Sequence, residues 1–216
     1  MELTHLAIAL FPLALYLMWI GLRGLSRRPL LMRGSTNLAL VATAVLGLLL
    51  CGPLPLFLPA NTITRFGPYV WVLVLALYVL VTILAMLLAP PSLIVTNISS
   101  EVLRPLVAEI VGKMDPLCSW AGECVNLPQV GMQLRCEGQP IFQAVVLQSQ
   151  GSRQNLQGWD HLRRELHSAL GKIAVTPNSW SPLWLLGGLS LGAWPVWLFW
   201  SDQQMLVRAF GELLTK

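Results

Sequence analysis

Residues 92–176, which begin SLIVTNISSEVLRPLVAEIVGKM, decide how this chain is organised. They form the only long segment whose composition suits water, because acidic and basic residues balance and polar positions interrupt the apolar ones. Three strongly apolar segments precede this insert and one follows it. The pattern predicts an α-helical multi-span membrane protein with four transmembrane helices and a small inserted α+β domain.

The insert carries the periodicities of both helices and strands. Apolar residues recur at helical spacing over 99–114 and again over 156–171, so each segment predicts an amphipathic helix. Between 130 and 137, apolar and polar residues alternate, which is typical of a strand with one buried face. Further strand candidates lie at 93–96, 119–126 and 141–149. The predicted order within residues 92–176 is therefore β-α-β-β-β-α.

The apolar segments predict three transmembrane helices within residues 1–91, at about 6–22, 38–58 and 67–88, and a fourth within 177–200. Their interiors contain no Asp, Glu, Lys, Arg or His. Ion and proton pathways usually need ionisable groups inside the spans, so transport by this chain alone is disfavoured. A role as an accessory subunit of a transporter stays open.

The topology follows from the loop at 23–33, which carries Arg23, Arg27, Arg28 and Arg33. Such a loop stays cytoplasmic under the positive-inside rule, and it could also recruit anionic lipid. We therefore expect both termini outside and the α+β domain in the cytoplasm, at the plasma (inner) membrane. The tail at 201–216 has one apolar stripe and predicts an amphipathic helix lying on the membrane surface.

Small residues in the apolar segments predict close packing between helices. Ala39, Thr43, Gly47 and Cys51 recur every four residues, and Gly188 pairs with Gly192 in a GxxxG motif. In lipid, small side chains let helix backbones approach one another. The pattern predicts a protein partner, or self-association, through these faces in the bilayer.

The sequence predicts no catalytic, cofactor-binding or metal-binding residue. It contains no nucleophile elbow, phosphate-binding glycine loop or HExxH motif. Zinc bound by the cysteines together with His161 or His167 is a weaker interpretation than reduced cysteines that pack as small apolar groups, because no CxxC pair occurs. The four cysteines are Cys51, Cys118, Cys124 and Cys136. Nucleic acid is excluded as a partner because much of the net charge of +4 lies in the arginine loop.

Two hypotheses of function remain. The first is a non-catalytic anchor or interaction and assembly protein that presents its cytoplasmic domain to another protein. The alternative is a membrane enzyme that acts on a lipid-like substrate at the boundary between domain and bilayer. It rests on polar residues such as Asp115, Glu123 and His161. A shared concave pocket for these groups would favour the enzyme.

Overall fold

A computed structural model describes residues 3–51, 67, 69–151 and 155–201. The chain divides into two compact units. The helical unit holds residues 1–21, 38–88 and 183–216, and the sheet unit holds residues 22–37 and 89–182. The end of the span predicted over 38–58 and the tail helix predicted beyond Ser201 lie outside the described residues.

The described residues form six helices and six strands, an α+β mixture. In chain order they are α1 (Leu3–Leu25), β1 (Leu30–Arg33), α2 (Gly34–Cys51), α3 (Tyr69–Leu88), β2 (Ser92–Thr96), α4 (Ser100–Met114), β3 (Ser119–Ala121), β4 (Cys124–Leu127), β5 (Met132–Gln139), β6 (Ala144–Ser149), α5 (Leu156–Leu170) and α6 (Ser181–Ser201).

The helical unit is built from apolar helices. By length and composition, α2 and α3 could each cross a membrane, whereas the apolar stretch Ala9–Leu25 of α1 is shorter. Among the described residues, two of the four predicted spans meet this criterion. The Tyr78 hydroxyl of α3 donates a hydrogen bond of 2.6 Å to the Ala42 carbonyl of α2, which ties these two helices together.

Glycines bring α1 close to two other helices of the same unit. A Cβ on Gly188 of α6 would lie 2.7 Å from the backbone nitrogen of Met18. A Cβ on Gly47 of α2 would overlap the backbone of Ala9. Gly47 therefore contributes to close helix packing, as its small-residue ridge predicts. Gly188 of the predicted GxxxG motif therefore contacts α1 of the same chain.

The sheet unit is one antiparallel sheet with the strand order β1-β2-β6-β5-β4-β3. Alternate residues of its strands face α4 and α5, which bury the apolar stripes predicted for both helices. The core includes Leu93, Val95, Leu103, Val107, Val125, Leu134, Leu147, Leu162 and Leu166. The predicted alternation in β5 is confirmed, since Met132 and Leu134 are buried while Gln133 and Arg135 are exposed.

Two features of the sheet correct the predicted order. The strand predicted at 119–126 is a tight hairpin of β3 and β4, because Gly122 adopts a φ of +65° that turns the chain. The arginine loop contains an additional strand, β1, which pairs with β2 with Leu31 opposite Val95. The sheet unit therefore extends beyond residues 92–176.

Candidate functional site

The clefts of the sheet unit that described residues line include three beside its helices. The cysteine cleft, of about 350 Å³, lies between α4 and strands β5 and β6. The helix groove, of about 560 Å³, runs between α4 and α5. The arginine cleft, of about 380 Å³, lies between β1 and α5.

The cysteine cleft is lined by Arg104, Glu123 and Cys136, among others. The Arg104 guanidinium donates to the Gly122 carbonyl and lies 5.5 Å from the centre of the Trp120 ring. It is therefore used to hold the β3–β4 hairpin against α4. Glu123 forms an ion pair of 3.6 Å with Arg135 on the neighbouring strand.

Cys136 lacks the lowered pKa that makes a thiol reactive. Burial raises the pKa of the Cys136 thiol to about 11, and the positive charge of the nearby Arg104 offsets only part of this rise. At pH 8 only about one thiol in a thousand is then ionised, and the thiolate is the nucleophilic form. Cys136 consequently serves as a packing residue beside the core.

The helix groove has an apolar floor and a charged rim. Leu106, Ile110 and Ala169 lie among its lining residues. On the rim, the Lys113 ammonium donates a hydrogen bond of 2.6 Å to Glu109. This hydrogen bond and the accompanying charge attraction lower the pKa of Glu109 and raise that of Lys113. An open groove that combines apolar lining residues with charges of both signs is compatible with binding another protein.

The arginine cleft has the largest net charge of the three, because its charged lining residues are all basic. Arg33 of β1 faces Arg163, Arg164 and His167 of α5 across it. The described residues that line it include no acidic side chain. Arg33 donates a hydrogen bond of 2.9 Å to Asp160, whose carboxylate also lies 3.8 Å from Arg163.

The structure does not bring the predicted polar residues together. Glu123 lines the cysteine cleft, whereas His161 lines the helix groove. Asp115 is fully buried, and its carboxylate oxygens accept hydrogen bonds from the backbone amides of Leu117 and Gln129. The three residues on which the enzyme hypothesis rests thus share none of these three clefts.

The cysteines and histidines are also dispersed. The Cys124 thiol donates to the Gln150 side chain at 3.1 Å, and His161 and His167 line different clefts. All four cysteines are free thiols. Among the described residues, no three His, Cys, Asp or Glu side chains are grouped so that they could hold a metal ion.

Sequence reasoning missed the arginine cleft. Residues 30–33 were predicted as part of a loop, so nothing placed Arg33 beside a helix 130 residues further along the chain. The available signal was the short apolar run Leu30-Leu31-Met32, which is consistent with a buried strand. No protein-family model, curated protein or solved structure matches this chain.

Proposed function

We propose that this chain is a multi-span membrane protein that holds a non-catalytic α+β unit at the cytoplasmic surface for binding another protein. The observation that carries the proposal is the surface of α3. Val70 is the only buried residue of this helix, and large apolar side chains are exposed along it, including Leu73, Leu80 and Leu87. A helix that is apolar on all sides and not buried in protein suits a lipid environment.

The proposed topology keeps four spans. α2 and α3 cross the bilayer, and α1 and α6 join them through the glycine contacts with α1. The arginines at 23–33 keep the sheet unit in the cytoplasm and both termini outside. α2 and α3 contain no charged residue, which supports anchoring over conduction.

A binding role is supported by the polar groups of the sheet unit, because they form hydrogen bonds within the unit itself. Arg104 and Asp115 hydrogen-bond to backbone atoms of the unit itself, and Cys136 is protonated at neutral pH. Catalysis would need such groups to be free and directed at one reacting atom. The helix groove, by contrast, offers open apolar area with charges of both signs at its rim.

Site-specific photo-crosslinking in living cells tests the proposal. A photoreactive residue replaces Glu165, which lines the helix groove, and in a matched control it replaces Gln133, which is exposed on the other face of the sheet. We expect one protein to be captured reproducibly from position 165 and not from position 133, identified by mass spectrometry. Equal capture from both positions, or none from position 165, would contradict a binding role of the groove.

The membrane enzyme remains a second candidate, favoured by one observation. The cysteine cleft combines Glu101, Arg104 and Glu123 in a concave site next to α4. It would act on a lipid-like substrate. An accessory role beside a transporter is a variant of the main proposal, with the transporter as the captured protein.

A further inference from the structure

The arginine cleft carries an excess of positive charge that its own acidic neighbour does not neutralise. Arg33 and Arg163 share the Asp160 carboxylate, which is bound to Arg33 at 2.9 Å and lies 3.8 Å from Arg163, and Arg164 lines the same cleft. Three positive charges against one negative charge leave a net charge of +2 before His167 is counted. A cleft with this balance attracts a small anion.

Two of the arginines are held only weakly by the protein. The Nε atom of Arg163 makes no hydrogen bond among the described residues, and its ion pair with the Asp160 carboxylate is long, at 3.8 Å. Arg164 uses its Nε to donate to the Asp160 carbonyl in its own helix at 3.3 Å. Planar guanidinium groups bind phosphate oxygens through paired hydrogen bonds, so phosphate is the anion that suits this cleft best.

The cleft lies on a strand that leads straight into an apolar helix. β1 ends at Arg33, and α2 begins at the next residue, Gly34. The first turn of α2 belongs to the sheet unit, and a Cβ on Gly34 would overlap the Ser92 side chain. The last turn of α1 is held in the same unit, where the Gly24 carbonyl accepts a hydrogen bond of 3.0 Å from the Asn178 amide.

We propose that the arginine cleft binds the phosphate group of an anionic phospholipid. This inference rests on the part of the proposed function that makes α2 a membrane span, because Arg33 then lies where α2 enters the headgroup region. Leu31 and Met32 give the cleft an apolar wall beside the arginines, which suits the glycerol and first acyl carbons of a lipid. Basic pockets at the cytoplasmic ends of spans bind lipid headgroups by the same chemistry.

A lipid fits the lining better than a nucleic acid does. Proteins that bind single strands stack bases mainly on large aromatic side chains, and the described residues that line this cleft include no Phe, Tyr or Trp. The bound lipid would hold β1 and α5 at the membrane surface.

The test uses the full chain in neutral maltoside micelles, titrated with dioctanoyl phosphatidylglycerol and followed by native mass spectrometry. Arg163→Gln/Arg164→Gln removes two charges from the cleft. Arg27→Gln/Arg28→Gln removes two charges from the arginine loop outside it. Each arginine near an anionic surface contributes roughly fivefold to binding, so we expect roughly 25-fold weaker binding for the first variant and a much smaller loss for the second.

Equal weakening in the two variants, or equal binding of dioctanoyl phosphatidylcholine, would overturn the cleft as a site for anionic headgroups. Displacement of the lipid by inorganic phosphate at equal concentration would assign the site to free phosphate instead, and equal affinity for a short oligonucleotide would overturn the lipid assignment. If the double variant misfolds, Arg164→Gln alone is used, since Arg164 is exposed.

Alkaline carbonate extraction of membranes that contain the unaltered chain separates this inference from the proposed function. Release of the chain would contradict a membrane span at α2, whatever the lipid titration shows. Retention of the chain together with unchanged lipid binding in the cleft variant would contradict the headgroup site alone.

Discussion

At the scale of single residues, Asp115 shows how a charged group can be purely structural. It follows α4 and is fully buried, and its two carboxylate oxygens accept from the amides of Leu117 at 2.9 Å and Gln129 at 2.8 Å. One side chain thus joins the end of α4 to the turn before β5. A buried carboxylate with two such hydrogen bonds stabilises the loop that carries them.

We predict that Asp115→Ala lowers the free energy of unfolding by about 2–4 kcal/mol, because two backbone amides lose their hydrogen bonds to a buried charged acceptor. Asp115→Asn should cost less, since one oxygen remains. Thermal unfolding of the full chain in detergent measures both changes. The matched control is Glu123→Gln, a half-exposed carboxylate in a surface ion pair, which should change stability by less than about 1 kcal/mol. An Asp115→Ala variant as stable as this control would contradict the structural role.

Two adjacent glycines of α6 provide a second test at the residue scale. A Cβ on Gly188 would lie 2.7 Å from the Met18 backbone nitrogen, whereas a Cβ on Gly187 meets nothing within 4 Å. We predict that Gly188→Ala destabilises the chain in detergent by about 1–3 kcal/mol through overpacking. Gly187→Ala should be neutral or stabilising by up to about 1 kcal/mol, because alanine favours the helix. Similar melting temperatures for the two variants would contradict a close contact between α1 and α6 at Gly188.

At the scale of elements, β1 joins the N-terminal part of the chain to the inserted segment. Its residues pair with β2, and two further hydrogen bonds reach the same loop, from Asn97 to the Ser26 carbonyl and from the Val175 amide to the Arg27 carbonyl. Leu31 packs against the core. The independent folding of residues 92–176 stays a prediction, and the structure adds that this segment lacks one strand of its sheet.

We predict that residues 22–37, joined by a flexible linker to residues 89–182, unfold cooperatively in urea and are more stable than residues 92–176 alone. The expected difference is at least about 1.5 kcal/mol, the contribution of burying one leucine side chain. Circular dichroism measures both transitions. Leu31→Asp in the longer protein is the control, and it should remove the advantage. Identical midpoints for the two segments would show that β1 adds nothing to the stability of the sheet.

At the scale of the whole molecule, the distribution of charge and apolar surface predicts the topology. The arginines cluster between α1 and α2, and α3 exposes apolar side chains along its length. Under the positive-inside rule we expect this arrangement to keep the sheet unit in the cytoplasm.

We predict that Gln150→Cys, in a variant stripped of native cysteines, does not react with an impermeant thiol reagent added to intact cells. It should react after the cells are permeabilised, because Gln150 is exposed on the sheet unit. Thr64→Cys, in the loop predicted to lie outside, is the positive control and should react in intact cells. Labelling of position 150 before permeabilisation would contradict the topology.

The features that depend on local periodicity could be predicted from the amino-acid pattern alone. The alternation over 130–137 identified the buried face of β5, and the helical stripes identified the buried faces of α4 and α5. The apolar segments marked α2 and α3 as candidate spans. The predictions for β5, α4 and α5 succeeded because side-chain burial in a helix or strand repeats with the geometry of the element itself.

The contacts between segments that are distant in the chain are visible only in the folded structure. Leu30 pairs with Thr96 across 66 residues that include two candidate spans, and Arg33 reaches Asp160 across 127 residues. β1 has four residues and no clean alternation of apolar and polar side chains, so its sequence does not identify the strand with which it pairs. Its partner is the sheet edge formed by β2, which local sequence patterns do not show. The arginine cleft is a product of that pairing, and this is why its charges, all visible in the sequence, could not be assigned to one site before the fold was known.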